Sequence, residues 1–125
     1  MEQVRKVMSS RIGGTLWGLN QQLWDLGIEN KVIAGDFETL KATIEKLDQD
    51  FDLVMISERM DESMVLLAEA LCLPLRNVST LKNNVRKADK IVALTEHDKD
   101  VLARFQRPDQ ELYNHFNKQL DIKIR

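Results

Sequence analysis

Apolar positions recur at helical spacing along most of this chain and lose that rhythm in one place. Val4, Val7 and Met8 give a weakly helical start to about Ser10, broken at Gly13-Gly14. Leu16, Leu19, Leu23 and Leu26 then mark a helix, with Gly27 where a C-terminal cap is expected. Asp36 reads as an N-cap, followed by one stripe of Phe37, Leu40, Ile44 and Leu47 whose wet face is Lys41, Glu45, Lys46 and Asp48. The break in rhythm is Phe51 to Ser57, a short β-branched apolar run without alternation, predicted as a strand covered on both faces. Asp61 is placed to cap the next helix, with Glu62 in its first turn. Met64, Val65, Leu66, Leu67, Ala68, Ala70 and Leu71 make that helix apolar nearly all round, so deep burial is predicted, and Leu73-Pro74 ends it.

Beyond Pro74, Leu75 to Asn84 is polar with turn character. Ile91 to Leu94 reads as a second short strand or as the approach to a helix. Thr95 and Asp98 resemble a capping box with Asp in place of Glu, opening a helix that carries Val101, Leu102 and Phe105. Pro108-Asp109 opens the last helix, with Leu112, Phe116 and Leu120 on one face and Tyr113 beside them. Helix, covered strand and buried helix in succession predict a helix-rich α/β fold, and one or two strands imply a sheet that is tiny or largely missing.

Composition narrows the class. The 125 residues, 43% hydrophobic and 30% charged, suit one domain over 1–125 with a single core. Twenty acidic and 18 basic residues nearly cancel, which argues against a nucleic-acid binder. No apolar run reaches the roughly 20 residues that cross a bilayer, and no signal peptide follows Met1. Cys72 has no second cysteine to pair with and reads as a small buried hydrophobe. His97 and His115 lack neighbours at zinc-ligand spacing, so no metal is expected. Trp17, Trp24, Tyr113 and Phe116 read as core aromatics.

Candidate chemistry gathers where the covered run enters the buried helix, at Ser57-Glu58-Arg59-Met60-Asp61-Glu62-Ser63. Ligands of parallel α/β proteins collect beyond the carboxyl ends of strands. Glu58 can accept a proton or hold a sugar hydroxyl there. The alternative is structural: Asp61 and Ser63 satisfy helix-start amides while Glu58 pairs with Arg59 or another nearby cation. Gly13-Gly14-Thr15 lacks the lysine of a phosphate-cradling loop. Lys82, Asn83, Asn84, Arg86 and Lys87 form a modest basic cluster suited to a phosphate or sulfate, or simply to solvent. Asn77-Val78-Ser79 is an N-glycosylation acceptor triplet.

Four segments, in order, resemble the galactose 3-O-sulfotransferase family, the group that includes galactosylceramide sulfotransferase. The run FDLVMISERMDESMVLL from Phe51 to Leu67 is similar to that family's FDLVLxxExxDESLVLL. Asn20 to Gly27 is similar to N-x-x-x-F/W-D-L-G, Val78 with Lys82-Asn83-Asn84 to DV-x-x-x-K-x-N, and Asp109 to Asn117 to D-x-x-LY-x-HFN. The match spans about Asn20 to Leu120. Thr80, where the family has an aromatic, and Cys72-Leu73, where it has tryptophan, depart from the pattern.

The resemblance implies a Golgi membrane enzyme that moves sulfate from 3′-phosphoadenosine 5′-phosphosulfate (PAPS) to the 3-hydroxyl of a galactose in a glycolipid or glycan. It implies a partial P-loop-like fold with few parallel strands. The chain corresponds to the C-terminal part of such an enzyme, the donor loop and membrane anchor having no counterpart in it, so catalysis by these residues alone is not expected. On this reading Glu58, Asp61, Glu62 and Ser63 lie near the galactose, and Lys82 and Asn84 near the donor phosphates. A non-catalytic interaction module that keeps a remnant of the fold is the alternative. Self-association through an exposed strand edge is expected of the isolated chain.

Overall fold

The computed structural model describes residues 19–78 and 94–125. Readings placed on Val4 to Trp17, on Lys82 and Asn84, on Thr80 and on Ile91 to Ala93 lie outside the described residues. Six helices occur among the described residues: α1 Gln21–Asp25, α2 Asn30–Ile33, α3 Phe37–Asp50, α4 Met60–Ala70, α5 Glu96–Phe105 and α6 Arg107–Ile124. Short 3-10 turns at Ser57–Arg59 and Leu75–Asn77 flank α4.

The helix ends follow from local chemistry. Asp36 accepts from the Thr39 amide at 2.8 Å and from Thr39 Oγ1 at 2.8 Å, capping α3 as expected. Thr95 and Asp98 close a full capping box at α5, the shorter Asp reaching the Thr95 amide at 3.1 Å. Pro108 sits in the first turn of α6, where its missing amide costs nothing. Gly27, at φ 78°, ends α1: its amide reaches the Trp24 carbonyl at 2.9 Å, and the Ile28 amide reaches that of Leu23 at 3.0 Å. Helix α4 ends by the same geometry on a residue that is not glycine. Cys72 takes φ 53°, its amide reaching Glu69 O and that of Leu73 reaching Ala68 O at 2.7 Å.

Helix α6 is the hub. It touches α1, α3, α4 and α5, and its Leu112, Phe116 and Leu120, one turn apart, are 4%, 6% and 1% exposed. They meet Leu40, Ile44 and Leu47 of α3, Leu23 of α1, and Ile56. Each buried leucine or isoleucine contributes about 2 kcal/mol relative to exposure. His115 joins α6 to α3, its Nε2 lying 3.1 Å from Asp48 Oδ2 with its ring edge-on to Phe116.

Several expectations are corrected. Among the described residues there is no strand and no sheet, so the α/β fold with few parallel strands is replaced by an all-helical packing. Phe51 to Ile56 does run extended (φ −117°, ψ 123° at Phe51; φ −103°, ψ 120° at Ile56). Side chains, however, take the place of a ladder: the Ile56 amide donates to Ser63 Oγ at 3.0 Å, and Lys123 Nζ donates to Asp52 O at 3.0 Å. Nor is the run covered on both faces. Ile56 is buried, while Phe51 and Met55 are exposed, so the expected strand edge for self-association has no strand behind it among the described residues.

Helix α4 is not deeply buried: only Ser63 and Ala68 are enclosed, and Val65 is half exposed. Asp61 lies within its first turn and does not cap it; the N-cap position belongs to Arg59. Cys72 is exposed, because the helix terminus it forms faces outward. Trp24 is also exposed, as is Phe37 beneath the Arg107 guanidinium, whereas Phe116 is core as expected and Tyr113 packs partly buried against it.

Candidate functional site

The start of α1 and the start of α6 are bound to each other across 86 residues or more of chain. Asp109 accepts from the Gln22 amide at 2.9 Å and the Leu23 amide at 3.0 Å, so a residue of α6 caps α1. Asn20 returns the contact. Its Oδ1 accepts from the Asp109 amide at 3.1 Å, and its Nδ2 donates to the last carbonyl of α5, Phe105 O, at 2.8 Å. The Asn20 amide in turn donates to Gln106 Oε1 at 2.9 Å. Asn20 reaches these partners from a left-handed backbone (φ 50°), which asparagine tolerates better than most residues.

This reciprocal clasp shapes an open cavity of about 450 Å³. Gln21 and Gln22 line it from α1, Gln106, Asp109, Gln110 and Tyr113 from the start of α6, and Glu58 from the 3-10 turn before α4. No lysine or arginine stands among the described lining residues. Glu58 accepts from Ser57 Oγ on Oε2 at 3.0 Å. It is not paired with Arg59, whose guanidinium turns away to Glu62 (Nη2 to Oε1, 3.0 Å), Asn117 (3.1 Å) and Asp121 (2.6 Å). Those contacts tie α4 to the far half of α6. The hydrogen bond from Arg59 holds the Glu62 carboxyl below its usual range, and Glu62 and Asp121 raise Arg59.

The four acceptor-side candidates therefore separate. Glu58 lines the cavity. Asp61 is exposed on the first turn of α4, and Glu62 is engaged with Arg59. Ser63 is fully enclosed, its hydroxyl taken by the Ile56 backbone. Asn77 is exposed in its 3-10 turn, with Ser79 of its triplet outside the described residues. Lys82 and Asn84 also lie outside them. The sequence assigned no site role to Asn20, Gln22, Asp109, Gln110 or Tyr113, reading Asp109 as a helix start and Tyr113 as a core aromatic. Their only signal was membership of two motifs that lie far apart in the chain and meet here.

Chemically, the cavity offers a carboxylate, one aromatic ring and glutamine amides, of which Gln21 and Gln110 already donate to Asp25 and Asn114 and Gln106 accepts from the Asn20 amide. That set fits an uncharged, hydroxyl-rich ligand. It does not fit a nucleotide bearing phosphates and a sulfate, which would meet carboxylates and no cation among the described lining residues.

Comparison with known proteins agrees with the motifs. The family model for galactose-3-O-sulfotransferase matches residues 10–125. Galactose-3-O-sulfotransferase 2 of Mus musculus is 32% identical over 103 residues, covering 82% of this chain and 26% of the relative. Galactosylceramide sulfotransferase of Homo sapiens is 31% identical over 105 residues, covering 84% and 25%. Galactose-3-O-sulfotransferase 4 of Homo sapiens is 40% identical over 88 residues, covering 62% and 18%. The chain thus spans about a quarter of the length of the first two of these relatives. No solved structure matches.

Proposed function

The chain belongs to the galactose-3-O-sulfotransferase family, and from that premise we propose that it forms the acceptor side of an enzyme transferring sulfate from PAPS to a galactose 3-hydroxyl. The acceptor is a galactose-terminated glycolipid or glycan, and the setting is the Golgi lumen. No helix among the described residues is long and apolar enough to cross a membrane.

The observation that carries the proposal is Glu58 on the wall of a cavity built from three family motifs. A galactose there meets the amides of Gln22 and Gln110 with its hydroxyls and the Tyr113 ring with its C–H face. Glu58 takes the proton of the 3-hydroxyl as the oxygen forms its bond to sulfur and the bond from sulfur to the donor's 5′-phosphate oxygen breaks, releasing adenosine 3′,5′-bisphosphate. Glu62 serves at one remove, by fixing Arg59 and so the turn that carries Glu58. Ser63 holds the same turn from inside through Ile56. Donor phosphates are assigned to Lys82 and Asn84, since the cavity itself suits no anion.

Sulfate transfer from radiolabelled PAPS to galactosylceramide or lactose tests this. It is measured for the 125-residue chain and for a chimera in which residues 20–125 replace the matching quarter of the mouse relative. Activity in the chimera that falls about a hundredfold or more with Glu58→Gln is expected, the range of a lost general base. Chimera activity indifferent to Glu58→Gln overturns the assignment.

A further inference from the structure

The cavity mixes polar and apolar surface, and among the described lining residues its charge is one-sided. Asp109 is spent, because both of its oxygens are held by the helix-start amides of Gln22 and Leu23. Glu58 has one described contact, the neutral Ser57 hydroxyl on Oε2, and no described cation pairs with it at the wall. The cations nearest in sequence are engaged elsewhere. Arg59 is shared among Glu62, Asn117 and Asp121, and Arg107 lies 5.4 Å over the Phe37 ring and 3.8 Å from Glu111. The remaining lining groups are the amides of four glutamines and a phenol.

The geometry points to a charge filter: the cavity admits uncharged galactosides and turns away those bearing a sulfate or carboxylate beside the reactive ring, with Glu58 setting the discrimination. This rests on the acceptor reading above and adds what that reading does not contain, a preference among galactosides. The repulsion acts through water-accessible space, so it is modest and sensitive to salt. A sulfate on the 6-hydroxyl of a seated galactose comes within one sugar width of Glu58, well inside the roughly 8 Å screening length at physiological salt. At 1 M salt that length shrinks to about 3 Å and the discrimination fades.

The test titrates the 125-residue chain with methyl β-galactoside and with its 6-O-sulfate, following the backbone resonances of Gln22 and Tyr113 by NMR at low and high salt. Expected at low salt is binding of the neutral sugar about fivefold or more tighter than the sulfated one. The ratio falls toward one at 1 M salt and also in Glu58→Gln. Glu45→Gln, which removes the same charge from the outer face of α3, leaves the ratio unchanged. Equal binding of both sugars at low salt overturns the filter and leaves the acceptor reading standing. If neither sugar moves these resonances, or if adenosine 3′,5′-bisphosphate displaces the neutral sugar from them, the acceptor reading falls and the filter with it.

Discussion

Among the described residues, two other than glycine hold left-handed backbone, and they do so for different reasons. Asn20 gains two side-chain bonds from it, to Phe105 O and from the Asp109 amide. Cys72 gains none for its side chain and simply occupies a helix terminus that favours glycine. Cys72→Gly is therefore expected to stabilise the fold by about 1 kcal/mol, the strain relieved exceeding the entropy added to the unfolded chain, as read by urea denaturation. Asn20→Gly keeps the backbone angle and deletes the clasp. A loss of about 2 kcal/mol is expected, similar to that of Asp109→Ala. The double substitution falls short of the sum by at least about 0.5 kcal/mol, since the two residues touch. Carboxylates also set the acid limit. Asp36, held down first by the Thr39 amide, Asp98, held down first by the Thr95 hydroxyl, and Glu62, held down by Arg59, all bind protons less readily folded than unfolded. The unfolded chain then takes up more protons, so stability rises with pH through this range. Their contribution is complete above the ordinary Glu value of 4.5 and drains away as pH falls through and below the ordinary Asp value of 3.8. Thermal melts between pH 7 and pH 3 are expected to show that decline, flattened in Asp36→Asn/Asp98→Asn; an unchanged slope overturns it.

At the scale of elements, α6 organises the packing. Leu120 is 1% exposed between α6 and α3, and Leu120→Ala is expected to cost about 3 kcal/mol in denaturant unfolding, transfer plus cavity. Four helix boundaries are legible in the sequence because capping is local: Asp36 with Thr39, Thr95 with Asp98, Pro108 and Gly27 each act within one turn, whereas Asp61 does not cap α4 and α2 carries no signal of this kind. The extended run at Phe51 to Ile56 was legible in its backbone and illegible in its pairing, since a run of apolar residues does not say whether its amides meet a strand or a serine seven residues on. Helix α4 was misjudged for a related reason. All-round apolarity predicts enclosure only if neighbours surround it, and among the described residues α4 has α6 on one side and the two flanking turns. Of the site, Glu58 could be read from its motif. The clasp partners could not, because no local pattern links residues 86 or more positions apart.

At the scale of the whole molecule, contacts among the described residues fall into two classes, short ones within and between successive elements and a few that join α6 to α1, α3, α4 and α5. Native-state hydrogen exchange is expected to rank accordingly. The amides of Leu112, Phe116 and Leu120 exchange most slowly, at the global unfolding limit, and those of α2 exchange at least about a hundredfold faster. The Asn20–Asp109 clasp belongs to the second class. Closing a loop of about 86 residues costs roughly 4 kcal/mol by polymer statistics alone, so these bonds are stable only once the helices they join are already docked. The hollow beside them consequently exists in the finished fold and in no partly folded form. Any molecule lodging there must draw on the entire folding equilibrium: at a hundred times its dissociation constant it adds about 2.7 kcal/mol to the whole chain at once. Even a weak sugar would then announce itself as a single upward step in melting temperature, shared by every spectroscopic probe, far from where it sits.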